Sequence, residues 1–412
     1  MPDTLVLRNA TLIDGSGADP QPGMAVVVRE GLIERVAPSR QLRTPRGAQV
    51  VDLVGRTLMP GLIDAHVHLG ITETSWEHVL REPAAVYALK VSRVIEDTLD
   101  AGFTTVRDAG LVDGGFAQAV EQGYLRGPRI LPSGAPISQT GGHGDWRARY
   151  QDHWPEPVPG LVAPPALCDG VEEVRRAARQ QLRRGATQVK VMASGGAMSP
   201  SDDIDTTQLT VEELAAAAYE AKAAGRYAMA HTYSPGSIRN AVEAGVVSVE
   251  HGNFLDEETA ALMKAREAYL VPTLATYELI DRFGEQYGVP AFSLQKIRQA
   301  KARGAESVRI AAAAGVKIGS GSDLLGPMQP FKTLELSLKA GIMGPMAALV
   351  SATRTNAELL RLADRTGTIE EGKWADLIVV EGNPVENIDV LREAGNVRLV
   401  LKRGEILKNM MP

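Results

Sequence analysis

Short apolar runs, each closed by a polar or turn residue and most followed by a helical stretch, recur through the middle of this chain. Few folds accept such a pattern. The runs end near His68, Asp108, Ile137, Met192, His231, His251, Thr273 and Ser320. Two of the intervening helices announce their starts. Thr210 and Glu213 make a capping box ahead of an alanine-rich stretch, and Ser234 precedes Pro235 as an N-cap with proline in the first turn. Strands alternating with helices in this way predict an α/β chain, and eight of them fit a (β/α)8 TIM barrel. The competing arrangement is an open doubly wound sheet, but no dinucleotide fingerprint follows the first strand. Between Tyr277 and Gly315 the sequence holds more helix than one barrel repeat requires.

Both ends of the chain read differently. Residues 1–57 and 365–412 contain short β-type runs, such as Leu5-Val-Leu, Met24-Ala-Val-Val-Val, Ala375-Asp-Leu-Ile-Val-Val and Val397-Arg-Leu-Val-Leu, punctuated by Gly and Pro. Neither end has enough apolar residues to make a core alone. The expectation is one small β-sandwich domain built from both termini, with 58–364 as the barrel. Hydrophobic residues make up 44% of the 412, charged residues 23%, and the net charge is −6, so the chain has a core to fill and no basic surface for nucleic acid. The single cysteine, Cys168, permits no internal disulfide and suits a cytoplasmic protein. No apolar segment reads as a signal peptide or a membrane span.

The chemistry gathers at the ends of the runs, where a barrel of this kind carries its functional groups. His66 and His68 stand two residues apart in one apolar run, so period-2 geometry aims both imidazoles at one face. Two neutral imidazoles at a strand end begin a metal site, or are ordinary histidines near a turn. His231 and His251 each follow a short apolar run. Singly, each reads as a core histidine, but four such residues among seven histidines point to a metal. Asp323, after Lys317-Ile-Gly-Ser-Gly-Ser, either caps the next helix or binds a metal and takes a proton from water. Lys190 lies in Gln188-Val-Lys-Val-Met, where an unpaired ammonium is costly. It has two readings: a salt bridge to a buried acid, or a neutral amine that adds CO2 to give a carbamate able to bridge two cations. His143 and Tyr233 are candidates for polarising a substrate carbonyl or gripping the substrate. The glycines after Lys190 allow close backbone approach to a substrate. Asp202, Asp203 and Asp205 match no calcium loop and read as a solvated segment.

Together His66-x-His68, Lys190, His231, His251 and Asp323 resemble the binuclear metal-dependent amidohydrolase superfamily. The likeness extends through Thr57-Leu-Met-Pro-Gly-Leu-Ile-Asp-Ala-His-Val-His and Gly367-Thr-Ile-Glu-Glu-Gly-Lys-Trp-Ala-Asp-Leu-Ile-Val-Val, so it covers nearly the whole chain. It implies two divalent metal ions, zinc in the usual case, bridged by carboxylated Lys190 and a hydroxide. His66, His68 and Asp323 would hold the buried ion, and His231 and His251 the exposed one. It also implies a homo-oligomer. Ser138-Gln-Thr-Gly-Gly-His-Gly-Asp, Val189-Lys-Val-Met-Ala-Ser-Gly-Gly and His231-Thr-Tyr-Ser look most like the prolidase-like dipeptidases and the ochratoxin-hydrolysing amidases. The expected reaction is hydrolysis of an amide in a small carboxylate-bearing substrate: a dipeptide such as Xaa-Pro, an N-acyl amino acid, or an ochratoxin-type aryl amide. The alternatives are a cyclic-amide or deaminating hydrolase of the imidazolonepropionase kind, and a non-catalytic barrel scaffold, which the presence of all six ligands disfavours.

Overall fold

The fold is described from a computed structural model over residues 4–147, 150–153 and 161–411. Parallel strands form its centre. Leu62–Val67, Phe103–Asp108 and Arg129–Pro132 pair in one sheet. Val189–Met192, Ala228–Thr232, Ser248–His251, Tyr269–Val271 and Lys317–Ile318 pair in sequence order in another. Leu62–Val67, Phe103–Asp108, Val189–Met192, Ala228–Thr232 and Ser248–His251 are buried at every position, as expected of parallel strands covered on both faces.

Backbone hydrogen bonds cross both gaps between the two sheets. Thr187 N–H donates to Pro132 O at 2.9 Å, and Ala65 N–H to Ser320 O at 2.8 Å. The Gln188 amide spans the first gap, donating to Leu131 O at 3.0 Å and Asp108 O at 3.1 Å. The third strand differs from expectation. Arg129–Pro132 occupies the place beside Phe103–Asp108, whereas Ile137–Ser138 is a two-residue strand between Ala166–Leu167 and Val191. Pro132 breaks the apolar stretch in two, so its later half reads as the strand when only sequence is weighed.

Helices cover the outside of these strands. Val211–Ala223 starts with the expected capping box, and Pro235–Glu243 has Ser234 as its N-cap. The ambiguous stretch resolves into two helices, Leu274–Phe283 and Ala291–Ala313. No helix among the described residues is long and apolar enough to cross a membrane.

The termini meet in one eight-stranded sheet. Its path runs Glu405–Asn409, Val397–Lys402, Leu377–Glu381, Arg56–Pro60, Thr4–Leu12, Gln21–Arg29, Leu32–Pro38, with Gln49–Asp52 beside Thr4–Leu12. Alternation explains how the sheet attaches to the rest. On Leu377–Glu381, Leu377 and Val379 pack with Leu7, Val26 and Leu58. Ile378 and Val380, on the opposite face, join Leu62, Phe103 and Val106 in the core beneath the parallel strands. Arg56–Pro60 pairs with Leu377–Glu381, so this sheet extends past residue 57 to Pro60.

Candidate active site

The carboxyl ends of the parallel strands bring the predicted residues together. His66, His68, Lys190, His231, His251 and Asp323 all line one cavity, together with His143 and Tyr233. Ring centroids are 5.3 Å apart for His66–His68, 5.1 Å for His66–His251, 4.5 Å for His231–His251 and 4.1 Å for His143–His231. Asp323 Oδ1 lies 3.5 Å from His66 Nε2 and 3.4 Å from His68 Nε2. One donor atom each from His66, His251 and Asp323 falls within 4.8 Å of the others, which makes this a candidate metal site. His251, Thr273 and Asp323 have φ of 70°, 49° and 51°. Such left-handed backbone costs on the order of 1–3 kcal/mol per residue and persists where surrounding structure enforces it.

Electrostatics favour uncharged ligands. Burial pushes the pKa of every one of these histidines down, that of His68 to about 3, with Lys190 adding to the effect. Neutral imidazole is the metal-binding form. Burial likewise lowers the Lys190 pKa, opposed by Glu250 and Asp323, and raises that of Asp323, opposed by Lys190. The salt bridge weighed for Lys190 is not found: among the described residues no hydrogen bond or ion pair holds its amine. His66 Nε2 is buried without a hydrogen-bond partner. A buried imidazole lone pair without a partner, neighbouring imidazoles, a carboxylate and an unpaired amine fit a divalent-cation site.

Further polar groups turn these side chains toward the cavity. Glu250 Oε2 sits 2.7 Å from His66 Nδ1, and Arg107 donates to Glu250 Oε1 at 2.8 Å and Oε2 at 3.0 Å. Arg107 and Glu250 are both fully buried, and Ser248 and Tyr227 complete the cluster. A carboxylate on Nδ1 fixes the proton there and frees Nε2 for a ligand. His251 Nδ1 meets Thr273 Oγ1 at 2.7 Å, His68 Nδ1 meets Gly110 O at 3.2 Å, and His231 Nε2 meets Gly195 O at 3.1 Å. Thr273 begins the helix Leu274–Phe283 without capping it. The buried Glu335 carboxylate does so instead, accepting from Ala275 N at 2.8 Å. Gln329 donates to His68 O at 2.7 Å.

The other candidates are also in place. Tyr233 is buried, shares a 2.9 Å hydrogen bond with Tyr277 and stacks on His251. The reading of Asp202 as solvated is corrected. Its side chain is 5% exposed and accepts from Gln208 Nε2 at 2.7 Å and Gly196 N at 3.2 Å, because the loop folds inward under Lys296. Asp203 and Asp205 are exposed as expected. Glu250, Arg107, Thr273, Ser199 and Asp202 were missed as site residues. Glu250 alone carried a sequence signal: a carboxylate inside an apolar strand, next to His251. The far wall of the cavity is apolar, with Ile71, Leu111, Trp146, Ile280, Ile297 and Leu325.

These features define a hydrolytic α/β enzyme with its polar groups at the strand ends, and the chain belongs to the amidohydrolase family, which it matches over residues 57–407. Ochratoxinase from Aspergillus niger is 34% identical over 98% of this chain and 86% of its own length. Imidazolonepropionase from Anaeromyxobacter dehalogenans is 28% identical over 98% and 96%. Among solved structures, a prolidase complexed with N-methylphosphonate-L-proline is 41% identical, covers 98% of this chain and 100% of its own, and superposes with a TM-score of 0.93. A Xaa-Pro dipeptidase with bound methionine in its active site is 31% identical, covering 98% and 99%, with a TM-score of 0.88. The chain is thus a hydrolytic enzyme acting on amide bonds.

Proposed function

We propose that this enzyme hydrolyses, with two divalent metal ions, an amide bond in a small substrate that carries a carboxylate: a dipeptide such as Xaa-Pro, an N-acyl amino acid or an aryl amide. The convergence of four imidazoles, three buried and that of His68 partly so, an unpaired lysine amine and Asp323 on one cavity carries this reading. His66, His68 and Asp323 would hold one ion and His231 and His251 the other, with Lys190 carboxylated between them. Ions there, zinc by resemblance, supply Lewis acidity and a water acidic enough to yield hydroxide near neutral pH. Asp323 accepts the proton of the attacking water and returns it to the leaving nitrogen. Tyr233, whose oxygen is shared with Tyr277, is placed to donate to the carbonyl oxygen as charge develops there. The apolar wall receives the group flanking the amide and excludes water. Apart from Lys190, which carboxylation would make anionic, no lysine or arginine lines the cavity among the described residues, so the apolar flank, more than a counter-charge, would select the substrate.

The hydrogen bonds across both gaps support a closed (β/α)8 barrel over 61–364, and the shared sheet supports a small sandwich domain from both termini. The family resemblance extends the reading to a cytoplasmic homo-oligomer. The test is a panel of dipeptides, N-acyl amino acids, aryl amides and cyclic amides, assayed on zinc-loaded enzyme. Amino-acid release from the open-chain amides supports the reading. Turnover of cyclic amides alone, or ammonia as the product, replaces it with the imidazolonepropionase-like alternative that the 28% identical relative keeps in view.

A further inference from the structure

We propose that Lys296 is a built-in substitute for an alkali cation, clasping three loop carbonyls so that Ala197 and Met198 stand as a wall of the substrate cavity. It is a positioning residue that sets how large an apolar group the enzyme accepts. The loop leaves Val189–Met192 and closes on itself: Gly195 N–H donates to Thr206 O at 3.1 Å, and Gln208 N–H to Ala193 O at 2.9 Å. Between these bonds the chain turns inward. The carbonyls of Gly196, Ser199 and Asp202, three residues apart in sequence, converge on one point. Among the described residues no backbone N–H donates to any of them. Lys296 Nζ occupies the point. It donates to Gly196 O at 3.2 Å, to Ser199 O at 3.1 Å and to Asp202 O, and Asp202 Oδ1 stands 3.9 Å away. An ammonium has three protons to give, and all three are taken. The side chain is 13% exposed, so this lysine points into the protein and not out to water.

Converging backbone carbonyls are the oxygen shell with which proteins replace the hydration of a potassium ion. Here the chain supplies the charge itself. Arginine would not serve, because its planar fork cannot aim three donors at one cluster of oxygens. Lys296 sits on Ala291–Ala313, part of the helix beyond what one barrel repeat requires. The next residue, Ile297, lines the cavity, as do Ala197 and Met198 from the clasped loop. One contact therefore fixes two walls of the cavity against each other. A Cβ on residue 195 would stand 1.9 Å from Asp203 O, so glycine there is what lets the turn close. Without the ammonium, three carbonyl dipoles and the Asp202 carboxylate face one another unscreened, and the turn opens. The same turn carries Ser199, whose Oγ lies 2.9 Å from His143 Nδ1. This deepens the amide-hydrolase reading by naming what limits the substrate's apolar group, and rests on it only for that group's place.

The test uses zinc-loaded enzyme with tetramethylammonium, potassium or ammonium as the added monovalent cation. Two quantities are read: amide hydrogen exchange of residues 194–207, and kcat/KM for two open-chain amides, one with a long apolar group and one with that group cut back to methyl. Any effect through His143 falls on both amides alike and cancels in their ratio. The wild type should behave the same in all three salts. Lys296→Ala leaves the oxygens around a vacant space. In tetramethylammonium, which is too large for it, the loop should exchange faster. The long amide should then lose about tenfold in kcat/KM relative to the short one, the size of one or two methylenes losing their apolar cover. Potassium or ammonium should restore both readings. Lys296→Met fills the space without charge and should show the same losses in every salt, which decides the matter if Lys296→Ala does not fold. Wild-type exchange and selectivity in Lys296→Met overturn the clasp, as do losses in Lys296→Ala that potassium and ammonium leave untouched. A panel without amide turnover while exchange responds as stated overturns the function and leaves the clasp standing.

Discussion

Glu250→Gln is the most informative single change, because one buried carboxylate serves three partners. In the wild type its oxygens receive Arg107, Ser248 and His66 Nδ1, all in a fully buried cluster. A glutamine can offer its oxygen to one side only. Either orientation sets an NH2 against the Arg107 guanidinium, and one of them also confronts His66 Nδ1. Breaking a buried pair by removing one charge costs about 3–5 kcal/mol, since the other charge is left without compensation. Loss of the outer partner of a metal-bound histidine costs about 10–100-fold in metal affinity. Denaturant unfolding of the metal-free protein reads the first quantity and zinc titration the second. The two separate in Arg107→Met/Glu250→Leu. That pair removes both charges, so most of the stability should return, less the hydrogen bond Arg107 gives to Ala65 O. Zinc affinity should stay low, because His66 is still unheld. Full stability and wild-type zinc affinity in Glu250→Gln would refute the reasoning, as would recovery of affinity in the double variant.

Lys190→Ala should lose bound metal and most activity, with partial return of both when a short-chain carboxylic acid is supplied; metal analysis with and without the acid checks this. Tyr233→Phe should keep its fold and metal and lose about 100–1000-fold in kcat, the usual size for a lost oxyanion donor; steady-state kinetics at saturating zinc decide it. At the surface, Lys301 and Arg298 hold the Asp281 pKa below its ordinary value. A carboxylate whose folded pKa is lowered contributes stability that is complete above its unfolded pKa and fades as pH falls through the folded one. Asp281→Asn should therefore destabilise by no more than about 1 kcal/mol at neutral pH, since the pair is solvent-screened, and by less as the medium is acidified below pH about 4; thermal melts across that range test the sign.

What could be read from the sequence follows from the range of the interactions involved. Strand ends were legible because His66, His68, Lys190, His231 and His251 sit in or at the close of short apolar runs, and a barrel's parallel strands all present such ends to one side. The pairing of both termini was legible because each carried β-type runs without a core of its own. Ser199 and Asp202 were not, because their place depends on a loop folding back under Lys296, a residue 94 positions beyond Asp202. Thr273 gave no signal of its own, since its hydroxyl matters only once Glu335, from a later helix, holds the start of Leu274–Phe283. The third strand went to Ile137 because Pro132 interrupts the run that actually enters the sheet.

The most direct measurement is the metal content of the purified chain, reconstituted with zinc and bicarbonate and analysed by mass spectrometry of the native protein. The account predicts two ions per chain and an added CO2 on Lys190, both lost when His66 and His251 are replaced together by alanine. A chain that takes up no zinc, or one that keeps two ions after that replacement, contradicts it.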